Sequence, residues 1–295
     1  MLLGFSLPLS PLGKANVVGA PPWHYSGDVI ALEFWTEPGA AAATLPPGLT
    51  PDPDSNGRAI ALFVDWQYTG ANDELLEPAR YQNREFYMLL DACWKDTPVY
   101  WTPYVYVDND SSMARGWIQG YPKRLGSIFQ TRTFAAPGPA AAPIAPGTKF
   151  GASLSVHGQR LANGRLTLRQ EQADVSGALG RRAVNRRYFP GLCAGQGNDP
   201  VVDELVMAVN DDLAVIDIWS GDAELELPKA IGEELHELSP VKMGTGYRFS
   251  MSCSISGLRS SRISRNRASA SRLTNAATVW PQTAKSQSNS PRRRV

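Results

Sequence analysis

The sequence predicts a mainly β protein of the α+β kind: an antiparallel sheet closed into a barrel, with a few short helices. Three observations carry this. Runs rich in aromatic and β-branched residues recur along the chain, each cut by Pro, Gly or Asn. Tyr247, Phe249, Met251, Cys253 and Ile255 alternate at period two, as a strand with one buried face does. Strand and helix patterns do not alternate regularly, which argues against a parallel sheet. A sandwich with minor helices is the other architecture this pattern allows.

Residues 1–23 are punctuated by Pro and Gly and read as extended. Residues 27–38 read as a strand that ends at Pro38. A short helix follows with Pro38 near its start, and Pro46 and Pro47 stop it. Residues 58–68 and 84–94 give two more strands, the second largely apolar and so expected to be buried. In the strand 99–108, Pro103 argues for a bulge or an edge. Asp108, Asp110 and Ser111 read as a polar turn, since their spacing is not that of a calcium loop. Residues 135–147 are a loop by composition. Residues 151–172 read as a hairpin turning at Asn163-Gly164. Further strands occupy 204–227, with turns near Asn210 to Asp212 and at Ser220-Gly221. Residues 229–238 read as one helix, and 246–258 as the last strand. No solenoid-length repeat appears.

The 295 residues suffice for one large domain or two small ones, and 43% hydrophobic content suits a soluble globular chain. No run of about 18 apolar residues is present, so no membrane span is expected. The start, "MLLGFSLPLSPLG", has no basic region, and Pro8 and Pro11 interrupt it, so mature sequence is expected. Cys93, Cys193 and Cys253 are distant and odd in number; reduced thiols in a cytoplasmic protein are expected. The net charge of +1 hides an asymmetry. Nine of the 29 basic residues lie in 258–295, which holds no acid, so residues 1–257 carry 20 basic against 28 acidic residues. An acidic body does not suggest a nucleic-acid partner. The expected division is therefore a single domain over 1–257 and a disordered basic Ser/Arg-rich tail over 258–295, read as an uninformative extension, with an electrostatic tether to RNA or membrane as the functional alternative.

Chemistry enters at "RGWIQGYPKRLGS", residues 115–127. Lys123 lies between Pro122 and Arg124, with Trp117, Ile118, Tyr121 and Leu125 close in sequence. A lysine is a nucleophile only as the neutral amine. Burial and a neighbouring cation both lower its pKa, so a lowered value is expected for Lys123. Neighbours on a strand point to opposite faces, which limits what Arg124 can do. His24, His157 and His236 are isolated and read as surface or satisfied histidines. Cys93 reads as packing. No ligand-spaced metal cluster is present.

The segment "YVYVDNDSSMARGWIQGYPKRLGS" resembles the active-site segment of the acetoacetate decarboxylase family, with its Tyr-Pro-Lys-Lys-Leu-Gly core. "WSGDAELEL", "ELSPVK" and "PPWHYSGDVIALEFWTEPGAAAATLPPGL" resemble the family's C-terminal and N-terminal segments, and the resemblance runs from about residue 20 to 257. It implies an acetoacetate decarboxylase-like barrel, a homo-oligomer, and no metal or organic cofactor. It places Lys123 on the Schiff-base lysine and Arg124 on the second lysine, and Glu85 is the best fit to an upstream catalytic glutamate. His24 falls in the N-terminal segment near the family's site, and Tyr121 and Trp117 are expected to line the pocket. The implied activity is decarboxylation of acetoacetate or a related β-keto acid, releasing carbon dioxide and a ketone. The family's N-terminal arginine is missing from "WHYSGDVIA". That departure leaves open aldol or dehydration chemistry on the same imine. A third reading is a non-catalytic barrel that binds a small molecule.

Overall fold

The computed structural model describes residues 1–70, 74–136, 138–141, 143–172, 174–192 and 199–262. The strands are β1 (Trp23–Trp35), β2 (Thr50–Pro51), β3 (Arg58–Thr69), β4 (Gln82–Trp94), β5 (Thr97–Val107) and β6 (Lys123–Leu125). They continue as β7 (Ser127–Gln130), β8 (Lys149–Val156), β9 (Gln159–Glu171), β10 (Ala183–Phe189), β11 (Val202–Glu226) and β12 (Lys242–Arg262). The helices are short: α1 (Pro38–Ala43), α2 (Pro78–Tyr81), α3 (Asp110–Ile118) and α4 (Ser176–Leu179). Among the described residues, no helix is long and apolar enough to cross a membrane.

The architecture is mostly β. The strands pair in the order β10-β5-β4-β3-β1-β12-β11-β9-β8-β7, with β6 beside β5 and β2 beside β4. Most neighbours are antiparallel; β6 and β10 each run parallel to β5. Strand β10 also pairs with β11, so it bridges two distant parts of the path. The central strands are buried on both faces, which explains why β3 and β4 read as near-continuous apolar runs. One face carries Leu32, Phe34, Phe63, Phe86 and Met88 against Phe150, Leu154 and Leu166. The other carries Val29, Val64, Trp66, Leu89 and Phe249, and continues into Trp23, Tyr68, Tyr81 and Ile255.

The first twenty residues are fixed onto that second face. Val18 is buried beside Trp23, Tyr68 and Tyr81. Ser6 Oγ both donates to the Val18 carbonyl (3.0 Å) and accepts from its N–H (2.9 Å). Ser111 Oγ, in α3, donates to the Val17 carbonyl at 2.9 Å.

The 151–172 hairpin exists, but its turn is at His157-Gly158, not Asn163-Gly164. Both turn residues have positive φ, 48° and 77°, as a two-residue type I′ connection needs. Asn163 and Gly164 lie within β9, paired to β8 and β11. Gly164 is there for space: a Cβ would sit 2.7 Å from Leu32 Cδ1 and 3.2 Å from Phe63 Cε2. The turns expected at 210–212 and 220–221 are irregularities within the long strand β11. Its register against β12 shifts at Val209/Asn210, Asp211/Ala214 and Ile216/Trp219, so the strand bends instead of reversing. Pro103 does sit at a bulge: the β4–β5 register shifts between Met88 and Leu90.

The helix expected over 229–238 reduces to one 3₁₀ turn, Leu235–Leu238. The polar turn expected after Asp108 is instead the start of α3. Asn109 caps it, accepting from the Ser112 N–H at 2.9 Å. Strand β12 runs to Arg262, five residues past the expected domain end. The rest of the basic tail, and Cys193, lie outside the described residues. We expect Gly164→Ala to destabilise the fold by about 1–3 kcal/mol through overpacking, measured as a lowered urea midpoint without a changed slope.

Candidate active site

Lys123 opens β6 directly after α3, and the connection is tight. Gly120 takes φ +82°, and the Tyr121 N–H donates to the Gly116 carbonyl at 2.9 Å. The Trp117 indole N–H donates to the Lys123 carbonyl at 2.8 Å. The lysine side chain then runs over Gly116, where any Cβ would collide with its methylenes. Its amine ends on the β4 residue Glu85. The two are 4% and 1% exposed.

The Lys123–Glu85 ion pair is surrounded by hydroxyls. Lys123 Nζ also donates to Ser112 Oγ at 3.1 Å. Ser112 Oγ and the Tyr87 hydroxyl each donate to Glu85. The Tyr121 ring centroid is 5.9 Å from the amine, and the Tyr87 and Tyr121 rings meet edge to face at 5.8 Å. Arg115, one turn along α3 from Ser112, is 2% exposed. Its guanidinium lies 3.8 Å from the Tyr68 ring centroid and 5.4 Å from that of Tyr25. It makes no ion pair with a carboxylate among the described residues, and its Nε has no hydrogen-bond partner among them.

These surroundings set the protonation. Burial pushes the Lys123 amine below the usual lysine range; Glu85 opposes this and Arg115 adds to it. Burial alone would raise Glu85. The Lys123 cation, with the hydrogen bonds from Lys123, Ser112 and Tyr87, overcomes burial and holds the carboxyl low. Burial raises Tyr25, Tyr87 and Tyr121, so these remain neutral phenols. Burial and Arg115 therefore ease loss of the amine's proton, while Ser112 and Tyr87 hydrogen-bond the carboxylate away from bulk water. Neither of two clefts of ≈ 620 and ≈ 870 Å³ is lined by Lys123; the first is lined by Gly27 and Trp66 among others.

Of the residues singled out in the sequence, Lys123, Glu85 and Tyr121 come together. Three others do not join them as expected. Arg124 points to the opposite face, as strand alternation requires. It pairs bidentately with Glu233 at 2.7 and 2.8 Å, so the cation acting on Lys123 is Arg115. His24 is exposed, with Nδ1 2.8 Å from Ser254 Oγ; the site-facing residue of that strand is its neighbour Tyr25. Trp117 is 45% exposed and holds the Lys123 backbone instead of lining the amine's surroundings. Ser112, Arg115 and Gly116 are functional residues that the sequence reading does not single out: the polar turn expected at Asp108, Asp110 and Ser111 is the start of α3, which carries them. Their i, i+3, i+4 spacing puts them on one helix face. Tyr25 and Tyr87 carried no separate signal.

A family model described as acetoacetate decarboxylase matches residues 6–262. Comparison with curated proteins returns no match. Among solved structures, the enduracididine biosynthesis enzyme MppR, complexed with the condensation product of pyruvate and imidazole 4-carboxaldehyde, is 34% identical with a TM-score of 0.82. That match covers 88% of this chain and 97% of MppR. An acetoacetate decarboxylase-like enzyme from Sphingomonas wittichii RW1 is 27% identical, TM-score 0.80, over 88% of this chain and all of its own (100%). Acetoacetate decarboxylase from Legionella pneumophila shares the fold at 16% identity and TM-score 0.68, over 87% of this chain and 93% of its own. Fold and relatives define an acetoacetate decarboxylase-like enzyme of the Schiff-base type. The chain belongs to the acetoacetate decarboxylase family.

Two predictions follow from the charges and the packing. Arg115→Met removes a lowering influence, so the Lys123 pKa rises and less neutral amine is present at pH 7. Glu85→Gln removes a raising influence, so the pKa falls further. The pH dependence of imine formation should therefore shift up in the first variant and down in the second. Gly116→Ala should displace the lysine side chain and cut imine formation at least tenfold, with thermal unfolding still cooperative.

Proposed function

We propose that the chain forms a Schiff base between Lys123 and a small keto acid, and condenses the resulting enamine with an aldehyde. The observation that carries this is Arg115: a buried cation beside the lysine with no carboxylate of its own among the described residues. A keto acid supplies that carboxylate while its ketone reaches the amine. In this reading the sheet closes as a barrel, β10 bringing β5 and β11 together beside the lysine.

Neutral Lys123 attacks the ketone carbon, and the carbinolamine loses water to give an iminium. Loss of a proton from the adjacent carbon gives an enamine, with Glu85 receiving the proton. The enamine carbon attacks the aldehyde, forming a carbon–carbon bond, and hydrolysis frees the lysine. Two observations favour condensation. The relative at 34% identity was solved with pyruvate and with a pyruvate condensation product. The N-terminal strand "WHYSGDVIA" lacks the family's arginine. Decarboxylation of acetoacetate or another β-keto acid is the second reading, favoured by the family match itself. There the iminium accepts the electron pair of the bond that releases carbon dioxide.

Reductive trapping tests both. The protein is incubated with pyruvate or acetoacetate, reduced with borohydride, and mapped by peptide mass spectrometry, with carbon dioxide followed in parallel. A pyruvate adduct on Lys123, lost in Lys123→Ala, without carbon dioxide is expected. Rapid carbon dioxide release from acetoacetate would select decarboxylation. No adduct with either keto acid would leave the binding-protein reading.

A further inference from the structure

Trp66 and Asn83 stand directly opposite each other across β3 and β4. Both are more than nine-tenths buried, and Trp66 Nε1 and Asn83 Nδ2 have no hydrogen-bond partner among the described residues. Directly opposed side chains on antiparallel strands have Cβ atoms about 5 Å apart. The two unpartnered donors therefore belong to neighbouring side chains on one face of β3 and β4. A buried donor left unpaired is unfavourable. A fold that keeps two together has an acceptor in view.

Their place says which acceptor. Asn83 is two residues before Glu85, so it shares a face of β4 with the lysine's partner, roughly 7 Å along the strand. Trp66 packs edge to face on Tyr25 at 5.7 Å, and the Arg115 guanidinium lies over that same ring. Gly27, opposite Trp66 on β1, lets the indole in: a Cβ there would come within 2.6 Å of the ring. Both donors are neutral. They suit an oxygen that becomes negative during reaction better than a carboxylate that arrives charged, for which Arg115 is present.

We infer that Trp66 and Asn83 form an oxyanion hole for the aldehyde that the enamine attacks. As the enamine carbon bonds to the aldehyde carbon, the carbonyl π pair moves onto oxygen. The nascent alkoxide accepts from Trp66 Nε1–H and Asn83 Nδ2–H until it takes up a proton and becomes the aldol hydroxyl. Donors fixed in a dry site stabilise such a charge more than that of the neutral carbonyl before it, so they act on the transition state. This inference rests on the Schiff-base condensation proposed above and adds the residues that receive its electrophile.

The test separates enamine formation from carbon–carbon bond formation, using pyruvate and imidazole-4-carboxaldehyde as probes. Exchange of pyruvate methyl protons with D2O reports the enamine, and aldehyde consumption reports the bond. Trp66→Phe keeps the ring and removes the N–H; Asn83→Leu keeps the volume and removes the amide. Each variant is expected to lose about 100-fold in the kcat of condensation, with methyl exchange and borohydride trapping on Lys123 unchanged. Condensation at the wild-type rate in both variants would overturn the inference. So would a parallel loss of exchange and condensation, since the residues would then act on the fold or the lysine. If wild-type protein forms no adduct on Lys123, the Schiff-base reading fails, and this inference falls with it for a distinguishable reason.

Discussion

The buried pair of Lys123 and Glu85 is the constraint around which the site is arranged. Removing two charges from water costs several kcal/mol per ion, and the mutual attraction offsets this only if the remaining polar atoms are satisfied. Here Ser112 takes a hydrogen bond from the amine and gives one to the carboxylate, while Tyr87 gives a second. These partners come from α3 and from β4, so the pair requires the helix, the strand and β6 to meet at one point. Gly116 is required for the same reason, because the lysine chain occupies the space of its missing side chain. Position, packing and protonation are thus one problem at this site.

The chain separates two kinds of positive charge. Arg124 is satisfied by Glu233 near the surface, on the face away from the amine. Arg115 is buried on the amine's face, over aromatic rings, with no opposing carboxylate among the described residues. Two arginines close in sequence to one lysine therefore have different electrostatic consequences. The alternation of β6 and the helical phase of α3 decide between them. Adjacency in sequence is a poor guide to field strength when the backbone period is two.

Most of the sheet was legible because its signals are local. β1, β3, β4 and β5 are apolar runs bounded by breakers, and the alternation of β12 is visible residue by residue. Where reading failed, a tertiary contact outweighed a local preference. Asn163-Gly164 has the composition of a turn, but Gly164 is needed where Leu32 and Phe63 crowd β9. The turn fell instead at His157-Gly158, a pair with a weaker statistical signal. In β11, Asp212 and Asp217 take positive φ within bends of a continuous strand, which composition alone cannot tell from reversal. Lys123 was legible through its motif, and Glu85 through its distance from that motif. Ser112, Arg115 and Gly116 were hidden because α3 has few apolar residues, so its helical period leaves little trace in hydropathy.

The anchoring of the first twenty residues has one more consequence. Ser6 clamps Val18 from both sides, and Val17 holds the hydroxyl of Ser111, next to the serine that touches the lysine. The start of the chain is therefore tied to the helix that carries Ser112. The first residues thus bear on where α3 lies, and through α3 on where Ser112 meets the amine. A change at residue 6 or 18 reaches the lysine only through that chain of contacts, from Val17 to Ser111 and its neighbour Ser112.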